Sequence, residues 1–191
     1  MENISEKDQF EYYLSSLDEL GEILIEADKI ESVASGILRL TLGTIMASNG
    51  AIFIFHKEDT SVSELCSIGI NNNSKSITLS DSFLVNIKVY QYGVLNYDKQ
   101  PDWIEGDFKK YLSKSSIKTI IPLFHRNRLL GILCVGEKFM SEVFTNIDYK
   151  ILEIISNHLT KSLFNSTVLM SLVSTEKVSS SPYGSSLAPA R

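Results

Sequence analysis

The spacing of apolar positions changes repeatedly along the chain, and each change marks an element. From Glu6 to about Ala27, Phe10, Tyr13, Leu14, Leu17, Leu20, Leu24 and Ala27 recur at three and four residues, the period of one helix face. A second helical stretch, Ile30, Val33, Ala34, Ile37, Leu38, Thr41, Leu42 and Ile45, ends at the turn signal Ser48-Asn49-Gly50. Short β-rich runs follow. Ala51 to Lys57 reads as a strand, Glu64 to Ile70 as its hairpin partner, and Ser76 to Leu79 as a third strand after Asn71-Asn72-Asn73. Ser80-Asp81 caps a short apolar helix from Phe83 to Tyr90, and Val94 to Tyr97 is a short extended piece.

The next stretch, DKQPDWIEGDFKKYLSKSS, is polar and irregular, broken at Pro101 and Gly106, with one helical turn expected around Phe108 to Leu112. An excursion of this kind reads as a lid or binding loop. Lys118 to His125 and Leu129 to Lys138 then flank a turn at Arg126-Asn127-Arg128. Both runs are nearly all apolar, as central strands covered by helices require. Thr145 and Asp148 form a capping box that opens a helix carrying Ile147, Ile151, Ile154, Ile155, His158, Leu159, Leu163, Met170 and Val173. At about 28 residues it exceeds what its own domain needs, so its second half is expected to meet another chain. The tail SSSPYGSSLAPAR is patternless. The chain thus divides into an N-terminal helix (1–28), a folded domain (29–173) and a linker or cloning tail (174–191).

Composition narrows the classes. With 43% hydrophobic and 21% charged residues among 191, the chain can bury a core. The net charge of −5 is concentrated before residue 32, and no basic stripe with interleaved aromatics appears, which argues against a nucleic-acid partner. There is neither an apolar run of membrane-spanning length nor a basic start with an apolar segment, so a cytoplasmic protein without membrane insertion is expected. Two cysteines, Cys66 and Cys134, make no disulfide framework and read as small core residues.

Nothing in the chain reads as an activated nucleophile or an acid/base pair, and no phosphate-loop glycine motif is present. His56, His125 and His158 share no metal-ligand spacing with each other or with the cysteines, so neither an enzyme nor a metal site is expected. His158 reads as a packed or interface histidine.

The order of elements from Leu17 to Met170 resembles a GAF domain. The most specific piece is GILCVGEKFMSEVFTNIDYKILEIISNHL, in which Lys138, Phe144 and Asp148 fall at the spacing of the NKFDE motif of cyclic-nucleotide-binding GAF domains. Glu137 stands where that motif has Asn, and Tyr149 where it has Glu. The resemblance implies an α+β fold: a central antiparallel sheet of about six strands, terminal helices on one face and a ligand pocket on the other. Physically, Lys138 and Asp148 suit a structural ion pair at the start of the last helix, and Phe144 reads first as core.

By family topology the pocket would be walled by Ser67, Ile68 and Gly69, with Leu84 and Val85 adding an apolar side. Tyr97 to Ser116 would form the lid. There Trp103, Phe108 and Tyr111 are the expected stacking groups, and Tyr97, Ser115, Ser116 and Thr119 the polar ones. The implied ligand is a cyclic nucleotide, cAMP in preference to cGMP, and the implied role a homodimeric regulatory sensor controlling an output domain such as a diguanylate cyclase. The alternative is a ligand-free dimerisation module whose pocket is filled by its own side chains. The resemblance extends to a GAF-fold enzyme, the free-methionine sulfoxide reductase, but its mobile redox cysteines have no counterpart here.

Overall fold

A computed structural model describes residues 29–71 and 76–179, with side chains of the last helix described to residue 166. The expected helix from Glu6 to Ala27 and the tail from residue 180 lie outside the described residues. Helix α1 (Ile30–Ile45) closes with Met46 in the left-handed region, where the backbone turns into the sheet. Strands β1 (Gly50–His56), β2 (Ser61–Ile68) and β3 (Ser76–Thr78) follow. Helix α2 (Asp81–Asn86) is capped by the Ser80 hydroxyl, which accepts from the Phe83 amide at 3.1 Å. It runs into a 3-10 turn at Ile87–Tyr90.

After the two-residue strand β4 (Leu95–Asn96), the irregular segment holds more helix than its breakers suggest. Helix α3 spans Gly106–Lys114, starting at the glycine expected to interrupt it. Gly106 has a φ of 65°, so the residue that breaks the preceding chain also starts the helix. Phe108, Tyr111 and Leu112 then fall on one buried face.

Strands β5 (Ile117–His125) and β6 (Arg128–Gly136) meet at a two-residue turn, Arg126-Asn127, both in the left-handed region. Arg128, expected in the turn, belongs to β6 and pairs with His125. Helix α4 (Asn146–Ser179) completes the chain. It runs past residue 173, where the sequence places the domain boundary, because no glycine or proline interrupts the chain before Pro182.

The six strands form one antiparallel sheet in the order β3-β2-β1-β6-β5-β4. Alternation along each strand divides the core in two. Ile52, Ile121, Leu133 and Val135 meet α1 and α4 on one face, with Ile151, Leu152, Ile155, Leu159 and Leu163 supplied by α4. Ala51, Phe53, Ile120, Ile132 and Cys134 meet α2 and α3 on the other, the distal face. The terminal-helix face and a distal face therefore exist as expected, in an α+β fold. Ile147 and Ile154, expected on the packed stripe of α4, are 40% and 43% exposed, because the buried line of that helix passes beside them.

The start of α4 is fixed by charge. Asp148 Oδ2 accepts from Lys138 Nζ at 3.0 Å, from the Thr145 amide at 2.7 Å and from the Thr145 hydroxyl at 2.9 Å, while the Asp148 amide donates back to Thr145 Oγ1 at 3.2 Å. Lys138 and Asp148 are both buried. Phe144 is half-buried and stacks on Tyr149 at 5.9 Å.

Candidate functional site

The distal face is a layer of aromatic rings. Phe53 on β1 receives Phe108 and Tyr111 of α3 edge-on at 6.2 and 5.1 Å, and Phe83 of α2 meets Phe108 at 5.1 Å. Phe108 and Tyr111, expected to stack on a ligand, are 1% and 2% exposed and fill the space between α3 and the sheet themselves. Trp103 is half-buried and leans on Phe83 at 5.7 Å and Tyr90 at 6.3 Å.

Polar groups gather at the edge of this layer. The Tyr111 hydroxyl donates to Glu64 Oε2 at 3.4 Å, and the Ser67 hydroxyl to Glu64 Oε1 at 2.6 Å. Burial, with the neighbouring Cys134 and Glu64 as lesser causes, holds the Tyr111 hydroxyl well above its ordinary pKa, so it stays a neutral donor. Asn49 Nδ2 donates to the Ser115 carbonyl at 2.6 Å and ties the end of α3 to the start of β1. The sequence reading missed Glu64 and Asn49. The signal for Glu64 was a charge inside an otherwise β-forming run; Asn49 read only as a turn residue.

The other expected residues do not converge on one point. Thr119 pairs with Val135 and Asn96 across the sheet, and directly opposed residues share a face, so Thr119 points toward the terminal helices, away from α3. Asn96 confirms that side by donating to the Tyr149 hydroxyl on α4 at 3.1 Å. Ile68 also packs on the terminal-helix side, and Gly69, with a φ of 69°, leaves β2 against the Ser48 carbonyl. Val85 is 66% exposed. Tyr97 and Ser116 share a separate polar cavity of about 240 Å³ with Lys118 and Glu137. The structure thus joins Ser67 and Tyr111 through Glu64, with Ser115 at the end of the same helix, and separates Ile68, Val85 and Thr119 from them. For Ile68 and Thr119 the reason is strand register, which sets the face each residue takes, whereas Val85 lies on the exposed side of α2.

Among the described residues, a large open space on the distal side lies at the opposite end of the sheet. It is a cleft of about 700 Å³ between α2, the end of β1 and the β5–β6 turn, lined by Phe55, Leu84, Phe124, Lys57, Lys88 and Arg128 among others. Of the expected pocket residues, Leu84 reaches it. A second cavity of about 310 Å³ lies between the start of α1 and the middle of α4, and Phe55, Lys57, Arg128 and Leu129 line both spaces.

The cysteines are placed for packing. Cys66 pairs with Ile52, whose side chain lies on the terminal-helix face, while Cys134 is in the distal core, so the sheet separates the two thiols. Burial, with Glu64 adding to it, pushes the Cys66 thiol up to about 12; burial alone pushes Cys134 further. We expect neither thiol to react with an aromatic disulfide reagent at pH 8 while the chain is folded, and both to react after denaturation. Immediate release of one equivalent from the folded chain would contradict the packing role of Cys66. Among the described residues no group of three His, Cys, Asp or Glu is arranged to hold a metal ion, and no helix is long and apolar enough to cross a membrane.

No protein-family model and no curated protein matches the sequence. Solved structures share the architecture. The GAF domain of a phosphoenolpyruvate-protein phosphotransferase from Coxiella burnetii superposes with a TM-score of 0.68 at 14% identity, over 84% of this chain and 98% of that one. The free methionine-R-sulfoxide reductase of Neisseria meningitidis, solved with its substrate, gives 0.64 at 14% identity over 88% and 98%. A phycoerythrobilin-bound GAF domain from a cyanobacterial phytochrome gives 0.57 at 13% identity over 85% and 97%. The fold is that of the GAF domain.

Proposed function

We propose that this chain is a regulatory sensor domain that binds a small ligand on its distal face and passes occupancy through α4 to an output domain. The observation that carries the reading is the length of α4. Its 34 residues make a rod of about 50 Å at 1.5 Å per residue, whereas the longest strands it packs on, nine residues each, span about 30 Å. A helix anchored in a sensor core and longer than the sheet it covers is a lever for conformational coupling. The ligands named in the solved neighbours, a bilin in one and a reductase substrate in another, support small-molecule binding as the use of this fold.

A cyclic nucleotide, cAMP before cGMP, is the first ligand to test, and a diguanylate cyclase the first output. Homodimerisation through the terminal helices belongs to the same reading. Ile147 and Ile154, seven residues apart and exposed on α4, suit a helix-to-helix seam. The reading is non-catalytic, since the two thiols that sulfoxide reduction would need lie on opposite faces of the sheet.

Calorimetric and thermal-shift titration with cAMP and cGMP tests the ligand. Saturating cAMP at about a hundred times its Kd should stabilise the fold by about 2.7 kcal/mol. Slower amide exchange in α4 on binding would carry the coupling. A second reading, a ligand-free dimerisation module, is favoured by one observation: Phe108 and Tyr111 already fill the distal layer. An unchanged melting temperature with every small molecule tried, together with a tight dimer by sedimentation, would select it.

A further inference from the structure

We propose that the cleft at the β5–β6 turn is an anion site for a small organic phosphate that carries a flat ring. The proposal deepens the sensor reading by assigning a place and a chemical class to its ligand.

Three cations reach the cleft from three separate segments. Lys57 comes from the end of β1, Lys88 from the 3-10 turn after α2, and Arg128 from the start of β6. Among the described residues none of the three is held in a salt bridge, whereas Lys110, Lys118 and Lys138 each have a carboxylate partner. Among the described residues no acid lines the cleft. Two acids stand beside Lys57 in the β1–β2 turn. The Asp59 carboxylate accepts the Ser61 amide at 3.2 Å and the Ser61 hydroxyl at 2.7 Å, and Glu58 lies with Glu31 in the adjoining cavity, which Lys57 and Arg128 also line, so three cations stand against two acids across the two spaces. An acidic chain therefore presents a local excess of positive charge over a concave surface, which concentrates anions there.

The floor adds a second, independent feature. Phe55 and Phe124 are half-buried rings at the edge of the distal core, and Leu84 continues the apolar surface between them. Three cations around two partly open rings fit a phosphate joined to a planar group better than either part alone. The Arg126-Asn127 turn, with both residues in the left-handed region, holds Arg128 in register at the first pair of β6, so its guanidinium is presented by a rigid element. The volume of about 700 Å³ lies within the range of small-molecule sites. The shared wall of Phe55, Lys57, Arg128 and Leu129 sets this site against the cavity under α1 and α4, so a ligand here touches the same side chains that support the signalling helices.

The test is titration of the full chain with AMP, cAMP, adenosine and inorganic phosphate, read by calorimetry and by the fluorescence of Trp103, the only tryptophan, which leans on Tyr90 two residues from Lys88. AMP is expected to saturate one site, to bind more tightly than adenosine or phosphate, and to weaken between roughly 50 and 300 mM salt. The double variant Lys88→Gln, Arg128→Gln alters exposed side chains only and should keep the wild-type melting temperature while weakening AMP by about tenfold or more. No saturable binding by either nucleotide, or equal affinity in the double variant, overturns the site. The two readings can fail separately. If cAMP binds equally well to the double variant but is weakened in Tyr111→Phe, which keeps the buried ring and removes only the hydroxyl held by Glu64, the cleft falls and the sensor reading stands. If AMP binds the cleft and cAMP does not, the cleft stands and the cyclic-nucleotide ligand falls.

Discussion

Asp148→Ala is expected to cost about 3–5 kcal/mol of folding free energy, the range for removing one partner of a buried ion pair. The substitution strips Lys138 of its 3.0 Å partner and leaves the buried ammonium only Glu142 at 3.7 Å, whose side chain is 58% exposed and therefore well screened. It also removes the acceptor for the amide and hydroxyl of Thr145 at the N-terminus of α4. Because a domain of this kind has a total stability on the order of 5–15 kcal/mol, the variant should be close to unfolding at 37 °C. Lys138→Met should cost less, since the Asp148 carboxylate keeps both Thr145 donors and the dipole of α4. Urea unfolding at constant slope measures both. A loss below about 1 kcal/mol for Asp148→Ala would mean that the pair is screened as a surface pair is.

Gly131→Ala is the second large effect, and its cause is steric. Gly131 sits opposite Ile54 on β6, where β1 and β6 form the centre of the sheet. A Cβ there would lie inside the contact radius of the Phe53 carbonyl oxygen, a backbone atom of the neighbouring strand. Relief requires the two central strands to separate, and both cores rest on them, through Ile52 and Leu133 on one face and Phe53 and Ile132 on the other. We expect a loss of about 3 kcal/mol or more, at the upper end for overpacking. Gly93→Ala is the control: its added Cβ meets nothing within 4 Å, and its effect should stay within about 0.5 kcal/mol. If the two alanine variants melt together, the seam is not as close as the geometry makes it.

Much of the order of elements was legible locally. The three-and-four spacing from Ile30 to Ile45, the β-rich runs around Ala51 and Lys118, and the Thr145–Asp148 box are signals within a few residues, and each described element appears within a residue or two of its expected place apart from β2, which starts three residues earlier and ends two sooner, and α4, which runs six residues past its expected end. Helix α3 was underestimated because a glycine reads as a breaker whether it ends one element or begins the next. Helix α4 was shortened because its later residues lose apolar periodicity, although nothing there forbids helix.

The candidate site was far less legible. Thr119 reads as an available donor in the sequence, yet its register with Val135 turns it to the terminal helices. Phe108 and Tyr111 read as free rings, and the docking of α3 on Phe53 makes them core. Lys57, Lys88 and Arg128 lie 31 and 40 positions apart and carry no local motif, so only the closing of the sheet and the placing of α2 bring them to one cleft.

What the sequence by itself determined was the kind and order of elements, the chain's acidity, and the Lys138–Asp148 clamp, because helical period, strand propensity and capping act over spans of about ten residues or fewer. Tertiary structure alone decided which face each strand residue occupies, which aromatics are consumed as core, and where charge collects over a concave surface. Those outcomes depend on register and packing between distant segments, where a shift of one residue exchanges the two faces of the sheet.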